Sequence, residues 1–134
     1  MLNTSSLNLL NDYPGYKVHF MDLALWEPYV RQVCTWQGFK CNKILPGVPG
    51  TYPTFIIELD DVPDHSLGAI VVKFFGSLFD GAGSFEIERD IGYWLEKKSL
   101  PIPSPGILAE GSLDENWQYL IFEHINGISI GQAR

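Results

Sequence analysis

Residues 68–98 constrain the fold of this chain more than any other stretch. After Gly68 come Ala69, Ile70, Val71, Val72, Lys73, Phe74 and Phe75, an apolar and largely β-branched or aromatic run carrying a single lysine. Such residues favour a strand. Alternate side chains of a strand share a face, so Lys73 lies with Val71 and Phe75, while Ile70, Val72 and Phe74 point the other way. With both faces apolar, the run reads as an interior strand rather than an edge. An unpaired ammonium buried there costs several kcal/mol, on the order of what a whole domain has to spare, so Lys73 needs an opposite charge or a path to solvent.

The second half of the stretch can supply that charge. After a glycine-rich break, Ser84 is the expected N-cap of a helix with Glu86 and Glu88 near its positive end and Lys97 and Lys98 near its negative end. Ile87, Ile91, Trp94 and Leu95 fall on one stripe, which is expected to face the sheet. At roughly 100° per residue, Glu88 projects beside Leu95 on one margin of that stripe and Glu86 lies on the other. Glu88 is therefore the first choice of partner for Lys73, and Glu86 the second. The plain alternative is a lysine snorkelling from a strand end and a solvated glutamate, which the rest of the chain must outweigh.

The chain has 134 residues, which suits one domain, and its 46% apolar and 19% charged residues make a globular composition. A net charge of -7 with only 9 Lys and Arg argues against a nucleic-acid surface and gives no reason to expect an anionic membrane partner. No run reaches the ~20 apolar residues of a membrane span, and no basic segment followed by an apolar core marks a signal peptide. Cys34 and Cys41 make neither a disulfide framework nor a zinc site; the reading is two reduced thiols in a cytoplasmic protein.

Residues 1–21 are polar at first and then turn-like, and are expected to be a loose lead-in. Asp22 caps a helix over 22–36 that ends before Gly38, with Leu23, Trp26, Val30, Val33 and Cys34 on its buried face. Pro28 is expected near its first turn. Strands follow at 41–45 and 55–59. The loop between them carries Gly47, Gly50, Thr51 and Thr54, a composition that can bring backbone N–H groups to phosphate oxygens. It has no Gly-Lys-Ser/Thr, and Pro46, Pro49 and Pro53 remove donors, so a plain hairpin loop is the simpler reading of it. Residues 60–66 form an acidic turn in which His65 is no metal ligand. An extended proline-rich connector over 100–106 leads to strands at 107–110 and 117–122, joined by a turn at 112–116. The pattern breaks at 123–127, and residues 128–134 begin a further helix.

In this order the elements resemble the N-terminal lobe of the aminoglycoside phosphotransferase family, relatives of choline kinases and more distantly of protein kinases. The resemblance covers residues 22–134 and is carried by Val71-Val72-Lys73, Glu88-Arg89-Asp90 with Trp94-Leu95-Glu96, the Pro101 to Pro105 connector, and Tyr119-Leu120-Ile121-Phe122-Glu123-His124-Ile125-Asn126-Gly127. It implies an α+β fold: a kinase-like N-terminal lobe over 22–127 whose antiparallel five-stranded sheet has an N-terminal helix and a glutamate-bearing helix between the third and fourth strands. Residues 128–134 would start a C-terminal lobe. The resemblance further implies that Lys73 binds the α- and β-phosphates of ATP and that Glu88 orients it. Val71 would cover the adenine, with Phe122 at the back of its pocket. The Glu123 carbonyl and the Ile125 N–H would bond the adenine edge, and Gly50 and Thr51 would approach the phosphates.

The chain also departs from that family. Its catalytic base lies in a His-x-Asp-x-x-x-x-Asn segment and its Mg²⁺ ligands lie further on, both in the larger lobe. Here His124 is followed by Ile125, Asn126 and Gly127, and the sequence ends at Arg134. The expectation is a truncated piece that positions nucleotide and is inactive alone, with a non-catalytic scaffold or interaction module as the alternative. A missing lobe would leave Phe122, Ile125 and Ile128 exposed and call for a protein partner. The small-molecule acceptor does not follow from this lobe, because the family binds it chiefly on the other one.

Overall fold

A computed structural model describes residues 3–47, 51–59, 68–98 and 106–124, apart from the side chains of Glu96 and Lys98. The acidic turn with His65, the connector at 100–105 and the segment at 125–134 lie outside the described residues. The N-terminal segment is not a loose lead-in. Ser5–Leu10 forms a 3-10 turn and Tyr13–His19 a short helix, α1, whose start is capped by Asp12 accepting the Gly15 N–H at 2.8 Å. Leu7, Leu10 and Tyr16 are buried and join the main core. These three are spaced too irregularly among polar residues to make a stripe, yet together they supply enough apolar surface to hold the segment down.

Asp22 opens the next helix as expected, its carboxylate accepting the Ala24 N–H at 3.1 Å. This helix, α2, spans Leu23–Gln37 and ends at Gly38, whose φ of 81° is a left-handed cap that glycine adopts without strain. Pro28 lies beyond the first turn, contrary to the sequence expectation, with its ring facing solvent. Trp26, Tyr29, Val30, Val33 and Cys34 form the buried face. Burial is the main reason the Cys34 thiol is pushed up to about 12, with Cys41 adding to it, and both cysteines are free thiols.

The strands are β1 Cys41–Pro46, β2 Thr54–Leu59, β3 Ala69–Phe75, β4 Ile107–Ser112 and β5 Gln118–Glu123. They form one five-stranded antiparallel sheet in the order β1-β2-β3-β5-β4, so the fold is α+β. The lysine strand is central, with Lys73 opposite Thr54 of β2 and Leu120 of β5. Its alternation sorts the core into two halves. Ile70, Val72 and Phe74 pack with α2 and the N-terminal segment around Trp26, which stacks on Phe74 at 4.5 Å and meets the Trp117 ring at 5.3 Å. Val71 and Phe75 join a smaller cluster on the opposite face with Tyr52, Phe85, Ile107, Leu120 and Phe122.

The last helix, α3, spans Gly81–Lys98 and connects β3 to β4. It starts a turn earlier than expected, so Ser84 lies inside it rather than at its cap. Its orientation is also corrected. Ile87, Ile91 and Trp94 are 63%, 53% and 53% exposed, and the sheet is faced instead by Phe85, Glu88 and Gly92. These follow the i, i+3, i+7 spacing of one face. Gly92 stands so close to Ile107 that a Cβ there would strike the isoleucine side chain. Among the described residues, no helix is long and apolar enough to cross a membrane.

Candidate functional site

Lys73 and Glu88 meet. The Lys73 ammonium donates to both carboxylate oxygens of Glu88, at 2.9 and 3.0 Å. Lys73 is 5% exposed, so the pair sits largely out of water, where a charged hydrogen bond is stronger and the loss of either partner costs more. Each end is fixed by a different element. The central strand sends Lys73 to the minor-cluster face by its alternation, and Glu88 reaches it from the sheet-facing side of α3. The rings of Tyr52 and Phe75 flank the ammonium, with centroids 5.8 and 5.5 Å from Nζ, a distance at which an aromatic face attracts a cation.

Tyr52 is itself held. Its ring packs on Phe75 at 5.0 Å, and its hydroxyl donates to the Phe79 carbonyl at 2.9 Å and shares a hydrogen bond with Ser84 Oγ at 2.7 Å. Phe79 and Asp80 have φ values of 61° and 56°, the left-handed region. For residues other than glycine this conformation costs about 1–3 kcal/mol each and persists only where the surroundings enforce it. The turn they make closes tightly: a Cβ on Gly81 would strike the Gly76 carbonyl. From the N-terminal side, the Tyr16 hydroxyl donates to the Thr51 carbonyl at 2.5 Å, and its ring meets Phe79 edge-on at 5.4 Å. Burial, and then the neighbouring Tyr52, raises the Tyr16 hydroxyl above the ordinary tyrosine value.

The other residues singled out from the sequence fall as follows. Val71 and Phe122 are register partners on the same face as Lys73. Phe122 is 4% exposed, which corrects the expectation that it lies open; Val71, Ile107 and Leu120 of its own cluster cover it. Thr51 is exposed at the end of the loop, with its carbonyl turned to Tyr16. Glu123 is tied to the start of β4, its N–H donating to the Gly106 carbonyl and its carboxylate accepting the Gly106 N–H, both at 3.0 Å. Gly50 and Ile125 lie outside the described residues.

Sequence reasoning missed Tyr52, Phe79 and Tyr16, and read Ser84 only as a helix cap. Tyr52 stands beside Thr51, which was named, whereas two consecutive left-handed positions without glycine leave no compositional mark. Along the outer edge, Arg89 pairs with Asp90 at 3.1 Å and with Glu110 at 3.6 Å, and the Tyr93 hydroxyl donates to Glu110 at 2.8 Å. The two contacts with Glu110 tie α3 to β4, and exposed contacts of this kind are worth little each. Among the described residues, no group of three or more His, Cys, Asp or Glu is placed to hold a metal ion. Comparison of the chain with protein-family models, with curated proteins and with solved structures finds no match.

Proposed function

We propose that this chain is the nucleotide-binding lobe of an ATP-dependent small-molecule phosphotransferase resembling the aminoglycoside phosphotransferases and choline kinases. The observation that carries the reading is the Lys73–Glu88 pair, a central-strand ammonium gripped at 2.9 and 3.0 Å by a carboxylate from the helix joining β3 to β4. A carboxylate bonded to an ammonium through both of its oxygens fixes the direction in which that ammonium points. An ammonium so held is what a triphosphate needs. Lys73 binds the α- and β-phosphates, Glu88 orients it, and Val71 lies against the adenine with Phe122 behind. Backbone groups of Glu123 and Ile125 bond the adenine edge, and Gly50 and Thr51 border the phosphates. The catalytic base and the Mg²⁺ ligands of such an enzyme are not among these residues, whose part is to bind nucleotide.

Calorimetric titration with ATP·Mg²⁺ tests the reading. Wild type is expected to bind, and Lys73→Ala to lose at least tenfold in affinity, about the 1.4 kcal/mol of one charge-assisted contact, while keeping its circular dichroism. A folded wild type that does not bind removes the proposal. The exposed Ile87 and Ile91 favour a second reading in that event, a non-catalytic module that docks a protein through the outer face of α3.

A further inference from the structure

Three features converge between the end of the β1–β2 loop and the start of α3, and none of them belongs to the lysine–glutamate pair itself. Phe79 and Asp80 are strained left-handed residues with no glycine to excuse them. The Tyr52 hydroxyl bridges this turn and the helix through the Phe79 carbonyl at 2.9 Å and Ser84 Oγ at 2.7 Å, beside the backbone bond from the Ser84 N–H to the Asp80 carbonyl at 3.1 Å. Helix α1 then grips both sides of the same joint, with Tyr16 bonded to the Thr51 carbonyl and stacked edge-on to Phe79, and Tyr13 edge-on to Phe79 at 6.1 Å.

We infer that Tyr52 is a positioning residue for the site, its hydroxyl holding the Phe79–Asp80 turn so that α3 keeps the rotation that puts Glu88 on Lys73, with α1 locking the joint through Tyr16. The physical argument runs through one rigid body. Ser84 and Glu88 are four residues apart and so lie on the same side of α3, one turn from each other. Fixing the Ser84 end fixes the rotation at Glu88. The strained turn stores a tendency to relax, and relaxation would swing the first turn of α3 away from Tyr52. The same ring whose hydroxyl prevents this also flanks the Lys73 ammonium, so Tyr52 touches both partners' supports at once. The N-terminal segment is thereby part of the site's framework.

This inference rests on the proposed function for its consequence in ligand binding, but its structural core is tested without nucleotide. The probe is acylation of Lys73 by acetic anhydride, read by peptide mass spectrometry on the full chain. Glu88→Gln marks the rate when the pair is broken. Tyr52→Phe keeps the ring and removes the hydroxyl; it is expected to raise Lys73 acylation roughly three- to tenfold, the population shift produced by losing one hydrogen bond. Ser84→Ala removes one partner of that hydroxyl and is expected to act in the same direction, and it serves if Tyr52→Phe does not fold. Ile57→Val, in the larger cluster on the other face, loses stability by the same order without raising Lys73 acylation. Unchanged acylation in the folded Tyr52→Phe or Ser84→Ala variant overturns the inference, as does an equal rise in Ile57→Val. If wild type fails to bind ATP·Mg²⁺, the proposed function falls while the acylation comparison still decides the role of Tyr52.

Discussion

Removing Glu88 and removing Lys73 are not equivalent changes. Glu88→Ala takes the carboxylate from a lysine whose side chain is 7% exposed, whereas Lys73→Met leaves a carboxylate with more access to water, the Glu88 side chain being 22% exposed. The penalty for removing one partner of a buried charge follows how deeply that charge is buried. Glu88→Ala is therefore expected to cost about 2–4 kcal/mol in urea unfolding and Lys73→Met clearly less. The double variant Lys73→Met with Glu88→Leu should recover most of the loss, because apolar replacements of both partners satisfy the cluster of Tyr52, Val71, Phe75 and Phe85 around them. A double variant no more stable than Glu88→Ala would mean that the pair stabilises the fold by more than its desolvation costs.

At the level of elements, α2 carries a defect that can be removed. Pro28 lies inside the helix, where it has no N–H to offer the carbonyl four residues earlier and where a proline ring is disfavoured. Its ring faces solvent, and replacing it loses no core contact. Pro28→Ala is expected to raise stability by about 1–2 kcal/mol, seen as a higher Tm in differential scanning calorimetry. An unchanged or lower Tm would mean that the proline's rigidity in the unfolded chain offsets the missing bond. The elements also mark where sequence reading succeeds. The alternation of Ile70 to Phe75 around Lys73 gives the strand, its central place and the face of each side chain, because period two admits only two assignments and the lysine labels one of them. The caps at Asp22 and Gly38 are legible for the same reason, each residue type having one physical use there. Helix α3 was harder. Ile87, Ile91 and Trp94 make the more apolar stripe, but the side that can approach the sheet is set by Gly92 against Ile107 and by the charge on Lys73, which are tertiary facts. The same holds for α1, whose sparse apolar residues acquire meaning only beside Thr51 and Phe79.

Across the whole molecule, the sheet divides the interior unequally. The face toward α2 holds most of the buried aromatic residues, including Trp26, Phe55, Phe74, Trp117 and Tyr119, while the face toward α3 holds a smaller group. Helix α3 further leaves Ile87 and Ile91 in solvent, so less of its apolar surface contributes to its docking. Amide hydrogen exchange should separate the two sides. Amides of β2, β3 and β5 are expected to exchange only on global unfolding, and those of α3 through a smaller opening, on the order of half the global free energy. Equal protection throughout would mean that the two clusters fold as one unit. With a smaller opening on one side, the molecule has two tiers of melting. Gentle warming would detach the helix bearing Glu88 while the sheet and Trp26 stay intact, so fluorescence from Trp26 and Trp117, both in the cluster on the other face, would report a folded protein that had already let go of its lysine.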